Sequence, residues 1–198
     1  MIAARIGISN GLGKSLVLAA AGATHFVVSA LRDGEVALAW VPADAPGIGR
    51  RDYRTVDGSR ASELAFDAVP LADDALLRSA AGSARDMLER TLDEATLALF
   101  AEALGVMQRL LEATIDYARQ RKQFGQPIGA VQVLQHRIAD MHIARAQAEA
   151  LTWAALQQLD ADAAQRERAV SSVKVMTGRA CRAVGQGAVQ IHGGMGMT

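Results

Sequence analysis

Cys181 is the only cysteine in 198 residues. A lone thiol excludes an internal disulfide framework and suits a reducing compartment, so the chain reads as cytoplasmic. As a nucleophile it is disfavoured, because it sits in a helical apolar pattern where cysteine usually fills space. Net charge is lacking too, with 21 basic residues against 21 acidic ones. Nucleic-acid binders usually carry a basic excess, so no nucleic-acid partner is expected. The four histidines, His25, His136, His142 and His192, show no metal-ligand spacing, and no metal is expected.

Long hydrophobic runs are also missing. Residues 15–28, SLVLAAAGATHFVV, come nearest, but Gly22, Thr24 and His25 interrupt them well short of a bilayer span. A preceding basic residue and small residues within weakly mimic a secretory signal. The composition reads instead as buried strands joined by a small-residue turn, in a soluble protein with no membrane partner. With 51% hydrophobic residues, the length allows one sizeable core or two small domains.

What is present falls into two textures. Residues 1–80 carry HFVVSAL, EVALAWV and ELAFDAV, short runs of strand-like composition. Turn formers in RDG, PADAPGIG and TVDGSR separate them, and Pro42, Pro46 and Pro70 all fall outside the runs. Antiparallel sheet is the expectation there. From residue 84 to 121 there is no proline and one glycine. Leu97, Phe100, Leu104, Met107, Leu111, Ile115 and Ala118 follow at steps of three and four, one face of a long helix.

FGQPIG at 124–129 breaks that pattern, and a second helix begins with Val131, Leu134, Ile138 and Met141 on its stripe. The stripe continues through Ala148, Leu151 and Ala155, and residues 159–165 make the next connection. A third helix uses Val173, Met176, Ala180, Val184 and Ile191. Short connections predict antiparallel neighbours, hence an α+β chain with a β region followed by an antiparallel helical bundle. The first helix would exceed about 50 Å at 1.5 Å per residue, longer than a small bundle needs, which points to oligomerisation.

GLGKS at 11–15 imitates a phosphate loop. The Walker pattern requires glycine at position 8, where Ile8 stands, and a helix where LVLAAAG looks like strand. It reads as a polar turn leading into a strand. More informative is DYARQRKQFGQPIGAVQVLQHRIADM at 116–141. Arg119, Arg121 and Lys122 fall at a helix end, where the macrodipole favours cations, so a charged cap is one reading. A guanidinium beside a Gly-x-Pro turn and glutamines also suits a diphosphate, since arginine grips two oxygens at once. The ending QIHGGMGMT packs glycines where backbone must turn tightly or approach something closely.

The 116–141 stretch resembles the acyl-CoA dehydrogenase signature of Tyr, then Arg-x-x-Phe-Gly, a Gln and Ala-Asp-Met. QIHGGMGMT resembles the second signature of that family, Gln, two residues, then Gly-Gly-x-Gly. Upstream, residues 9–30 and 44–69 look like its middle β-domain, so the resemblance covers nearly the whole chain. It implies a partial middle β-domain over 1–80 and a C-terminal helical domain over 81–198. It implies FAD-dependent α,β-dehydrogenation of an acyl-CoA thioester. A homo- or hetero-oligomer follows, with FAD at a subunit interface and an electron-transfer flavoprotein as acceptor.

By similarity, Arg121, Lys122 and Gln123 approach the FAD diphosphate, typically of the neighbouring subunit, Phe124 is a further cofactor-binding residue, and Gln132 meets the adenosine side. Gln190, Gly193 and Gly194 lie along the same cofactor, and Ser9 matches a flavin-contacting Ser/Thr. Thr96 stands where many members carry a substrate-binding arginine. The catalytic glutamate of the family falls just beyond Thr198, so no catalytic residue is assigned within the sequence. A non-catalytic subunit lending a partner an assembly surface and part of an FAD site is the other expectation.

Overall fold

The computed structural model of the chain describes residues 12–78 and 82–197. It divides into two compact units, Met1–Glu89 and Arg90–Thr198. In the first, two three-stranded antiparallel sheets share a core. One sheet orders its strands β1 (Leu12–Leu18), β5 (Arg60–Phe66) and β4 (Ile48–Arg54). The other orders β2 (His25–Arg32), β3 (Glu35–Pro42) and the two-residue β6 (Leu76–Leu77). Phe26, Val28, Val41, Leu64, Phe66 and Val69 meet in the common core.

The β2 and β3 strands form a hairpin across Asp33 and Gly34, whose φ values of 53° and 86° match the Asp-Gly turn that right-twisted strands prefer. Pro42 is the last residue of β3, opposite His25, rather than outside the strand. Several other expectations change. The polar turn at GLGKS is strand from Leu12 onward, while Gly11 lies outside the described residues. The strands of residues 15–28 are half-covered, not buried: Leu16 is 58% and Leu18 64% exposed. A bulge between Lys14 and Val17, with Leu16 at φ 55°, re-aims those side chains.

ELAFDAV ends as a strand at Phe66, because the chain turns back there. Asp67 N–H donates to the Gly47 carbonyl at 2.8 Å, and Ala68 takes φ 47°. Gly47 is obligatory: at φ 89°, an added Cβ would stand 2.1 Å from the Asp67 oxygen. RRDYR, flanked by turns in the sequence, is β4. Being an edge strand, it can face water with charged side chains, which also discourage edge-to-edge pairing. Its polar pattern hides it, but its partners fix it. Arg51 lies opposite Glu63 and binds it at 2.8 Å, and the Ser62 hydroxyl donates to Asp52 at 2.7 Å.

The second unit is built on α1 (Ala84–Gln120) from Arg90 onward, with α2 (Gln132–Leu156) and α3 (Ala163–His192). All seven stripe residues of α1 are buried or half-buried, as are the five of α3. At 37 residues α1 is about 55 Å long. It stops at Gln120 because Lys122 and Gln123 (β7) pair with Gln126 and Pro127 (β8) in a minimal hairpin. Its turn is Phe124 and Gly125, at φ 53° and 81°, one residue earlier than the expected Gly-x-Pro turn, whose Gln126 and Pro127 form the returning strand. The second connection is shorter than 159–165. Asp162 caps α3, accepting the Gln165 N–H at 2.9 Å, so residues 163–165 are already helical.

Two core clusters show that the helices run up, down and up. One joins Met107 and Leu111 of α1 to Met141 of α2 and to Val184, Ala188 and Ile191 of α3. The other joins Leu97, Ala155, Val170 and Val173 at the opposite end. There Arg166, only 8% exposed, pairs with Asp93 at 2.8 Å. Among the described residues no helix is long and apolar enough to cross a membrane.

Candidate cofactor site at one end of the helical bundle

The up-down-up order carries the end of α1, the start of α2 and the end of α3 to the same end of the bundle. Every site residue expected in this unit lies there. Arg121, Lys122, Gln123 and Phe124 occupy the hairpin after α1, Gln132 is the first residue of α2, and Gln190, Gly193 and Gly194 close α3. All eight are exposed, Phe124 at 98%. The Phe124 ring at the turn tip is therefore open to a ligand or a partner surface. Ser9 lies outside the described residues.

The turn is held on both sides. Arg121 N–H donates to the Tyr117 carbonyl at 2.8 Å, and the Arg121 carbonyl accepts Ile128 N–H at 2.8 Å. Gly129 nestles on α1, where a Cβ would stand 3.0 Å from the Ala118 carbonyl oxygen. Gln135 then donates its side-chain N–H to the Gly129 carbonyl at 2.9 Å. Among the described residues Arg121 and Lys122 enter no ion pair, whereas Arg119 lies 3.8 Å from Asp116. Two unneutralised cations thus sit beside the carbonyl-rich end of a helix, available to an anion.

The glycine turn has a different logic at each position. Gly193 ends α3 at φ 63° and ψ −134°, with its N–H on the Val189 carbonyl, a conformation open to glycine alone. Gly193–Met197 then form a short 3-10 segment folded back on the helix end. At Gly196 an added Cβ would stand 2.9 Å from the Val189 oxygen, so packing demands glycine there. At Gly194 it would meet nothing within 4 Å, and φ is not positive. This chain gives no steric reason for glycine at 194, which fits a backbone left bare for a ligand's approach.

Two features at this end have no role assigned by the sequence. Tyr117 and His192 stack, with ring centroids 4.4 Å apart and planes 26° apart. Tyr117 opens the first signature, one turn before Arg121, and His192 lies within the second, just before Gly193, yet the motifs give neither ring a task. Gln190 also lines a cleft of about 470 Å³ between α2 and α3, with Arg137, Asp140, Gln186 and Gly187. Thr96 is half-buried far from this end, and its neighbours Asp93 and Glu94 are already paired with Arg166 and Arg90.

A family profile described as "Acyl-CoA dehydrogenase, C-terminal domain" matches residues 82–198. The chain belongs to the acyl-CoA dehydrogenase family. It is 31% identical over 170 residues to the human mitochondrial short-chain specific acyl-CoA dehydrogenase, covering 84% of this chain and 41% of that enzyme. Among solved structures, the Tcur3481-Tcur3483 steroid ACAD G363A variant matches with a TM-score of 0.79 at 33% identity, over 94% of this chain and 49% of that one. A structure described as an FAD-dependent dehydrogenase matches with a TM-score of 0.84 at 28% identity, over 95% and 52% respectively. The chain therefore spans about two fifths to one half of the length of these three relatives. The α+β fold with its helical C-terminal region is that of the family.

Proposed function

We propose that this chain takes part in FAD-dependent α,β-dehydrogenation of an acyl-CoA thioester. On this reading residues 1–80 form part of the middle β-domain and residues 81–198 the helical domain. The observation that carries it is the gathering, at one bundle end, of two unpaired cations, an exposed aromatic tip and a bare glycine turn. Arg121 and Lys122 grip the diphosphate oxygens, Phe124 covers one side of the cofactor, and Gln132 meets the adenosine. Gln190, Gly193 and Gly194 bring backbone close to the phosphates. When bound, FAD supplies the hydride acceptor, and the protein's part is to hold it dry and oriented.

Because all eight residues face outwards, the FAD they hold lies against a neighbouring subunit of a homo- or hetero-oligomer. The electron acceptor is an electron-transfer flavoprotein, and the compartment is the cytoplasm, a reading supported by the single free cysteine. The test is Arg121→Ala against wild type, titrated with FAD. Loss of a charged hydrogen bond should cost about 1.5–3 kcal/mol, or roughly 10- to 100-fold in Kd. Equal affinities would make Arg121 a helix cap alone, and a wild-type chain that takes up no FAD would end the cofactor reading.

A further inference from the structure

We propose that Tyr117 and His192 form a positioning clasp, fixing the Arg121 turn relative to the Gly193 turn. The consequence for FAD rests on the function proposed above; the geometry of the clasp does not. The two rings lie in the last turns of α1 and α3, and they are half-buried while the motif residues beyond them are exposed. The Tyr117 hydroxyl donates to the His192 carbonyl at 3.5 Å, a long bond made to the last residue of α3. His192 Nδ1 lies 2.9 Å from the Ala188 carbonyl, which only accepts, so Nδ1 carries a proton and the ring is held in one orientation.

From that stack, bonds run outward on both sides. The Tyr117 carbonyl holds Arg121 N–H, and the Arg121 carbonyl holds Ile128 N–H. On the other side, His192 is followed directly by Gly193, whose N–H is bound to Val189. Next to the rings in sequence, Ala118 and Ile191 are buried, so each ring lies where its helix passes from the core to the exposed turn. A stacked pair with a defined ring face resists both slide and rotation. An anion bridged between two turns requires that resistance, because a site left about 1 Å loose loses much of its binding advantage.

The clasp is tested by amide hydrogen exchange on the FAD-free chain, paired with FAD titration of the same samples. His192→Leu keeps apolar bulk without a ring, and His192→Phe keeps the ring. In His192→Leu the Arg121 and Ile128 amides should exchange about tenfold faster, the order of one aromatic pair, with FAD affinity falling in step. The amides of Thr152 and Val173, in the core of α2 and α3, should be unchanged. His192→Phe should restore both readings to near wild type.

Exchange at the turn unchanged in His192→Leu, or equal in the Leu and Phe variants, overturns the clasp. Faster exchange throughout the bundle also overturns it, since the pair would then be general packing. A loosened turn with unaltered FAD affinity overturns the positioning role. If the wild-type chain takes up no FAD, the cofactor reading fails by itself and the exchange arm decides the clasp.

Discussion

In the β-unit, β1 depends on a partner more than forty positions away: Leu12 pairs with Phe66 and Leu18 with Ala61. In the helical unit every backbone bond of α1, α2 and α3 is local, and tertiary contacts decide only which faces and ends meet. The two units also keep charge differently. β4 lines an edge with Arg50, Arg51, Asp52 and Arg54, where Arg51 pairs with Glu63 across the strands and Arg50 with Asp52 along the same strand. The bundle keeps one ion pair, Arg166 with Asp93, nearly out of water. Helical bonds are made within one segment, whereas each sheet is completed only when a distant segment closes onto a local hairpin, β1 onto β5 and β6 onto β3.

That contrast can be broken by mutation. The largest effect is expected at Phe66, 1% exposed at the centre of the β core. Phe66→Ala should cost about 3–5 kcal/mol. Amide exchange should then rise across β1 to β5 while the helical circular dichroism persists. Loss of both signals together would show that the units do not stand apart. Next comes Asp93→Ala, which strands the buried Arg166 guanidinium at a cost of about 3 kcal/mol by urea denaturation. The double variant Asp93→Leu, Arg166→Met should recover most of it, since apolar replacement of a buried pair is often neutral. No recovery would mean that the pair specifies helix packing.

A smaller effect is expected at the cap of α3. Asp162→Ala removes the acceptor for Gln165 N–H and should cost about 1 kcal/mol, with faster exchange confined to the first turn. The smallest lies in the turn between β4 and β5. The Thr55 hydroxyl, and then the Ser59 amide, hold the exposed Asp57 carboxyl below its ordinary range. Its folded value is thus lower than its unfolded one. The turn's support is complete above the ordinary carboxylate range and fades as pH falls through the folded value. Nuclear magnetic resonance titration of Ser59 should show that dependence, and Asp57→Asn should remove it.

How much of this was legible beforehand follows from the same contrast. The α1 stripe from Leu97 to Ala118 could be read directly, because a 3.6-residue period is written within the segment that uses it. The hidden strand RRDYR could not. Its residues are polar, and it is a strand only because Arg51 and Asp52 have Glu63 and Ser62 opposite them. The Gly-x-Pro pattern puts Phe124 just before the turn, but Phe124 and Gly125 are its centre, since the pairing of Gln123 with Gln126 sets the register. The site residues were found through two motifs, but their convergence was not visible from either motif alone.

The sequence by itself determined the three helical faces, the two signature motifs and the family to which they belong. These are short-range facts, carried by side-chain period and by glycine placement. Only the tertiary structure decided that an edge could tolerate four charged residues, and that Gly194 is bare while Gly196 is packed. It alone set Tyr117 against His192, 75 positions apart in the chain. Contacts across that separation exist only after the helices have packed, because no local rule tells one helix end which other end it will meet.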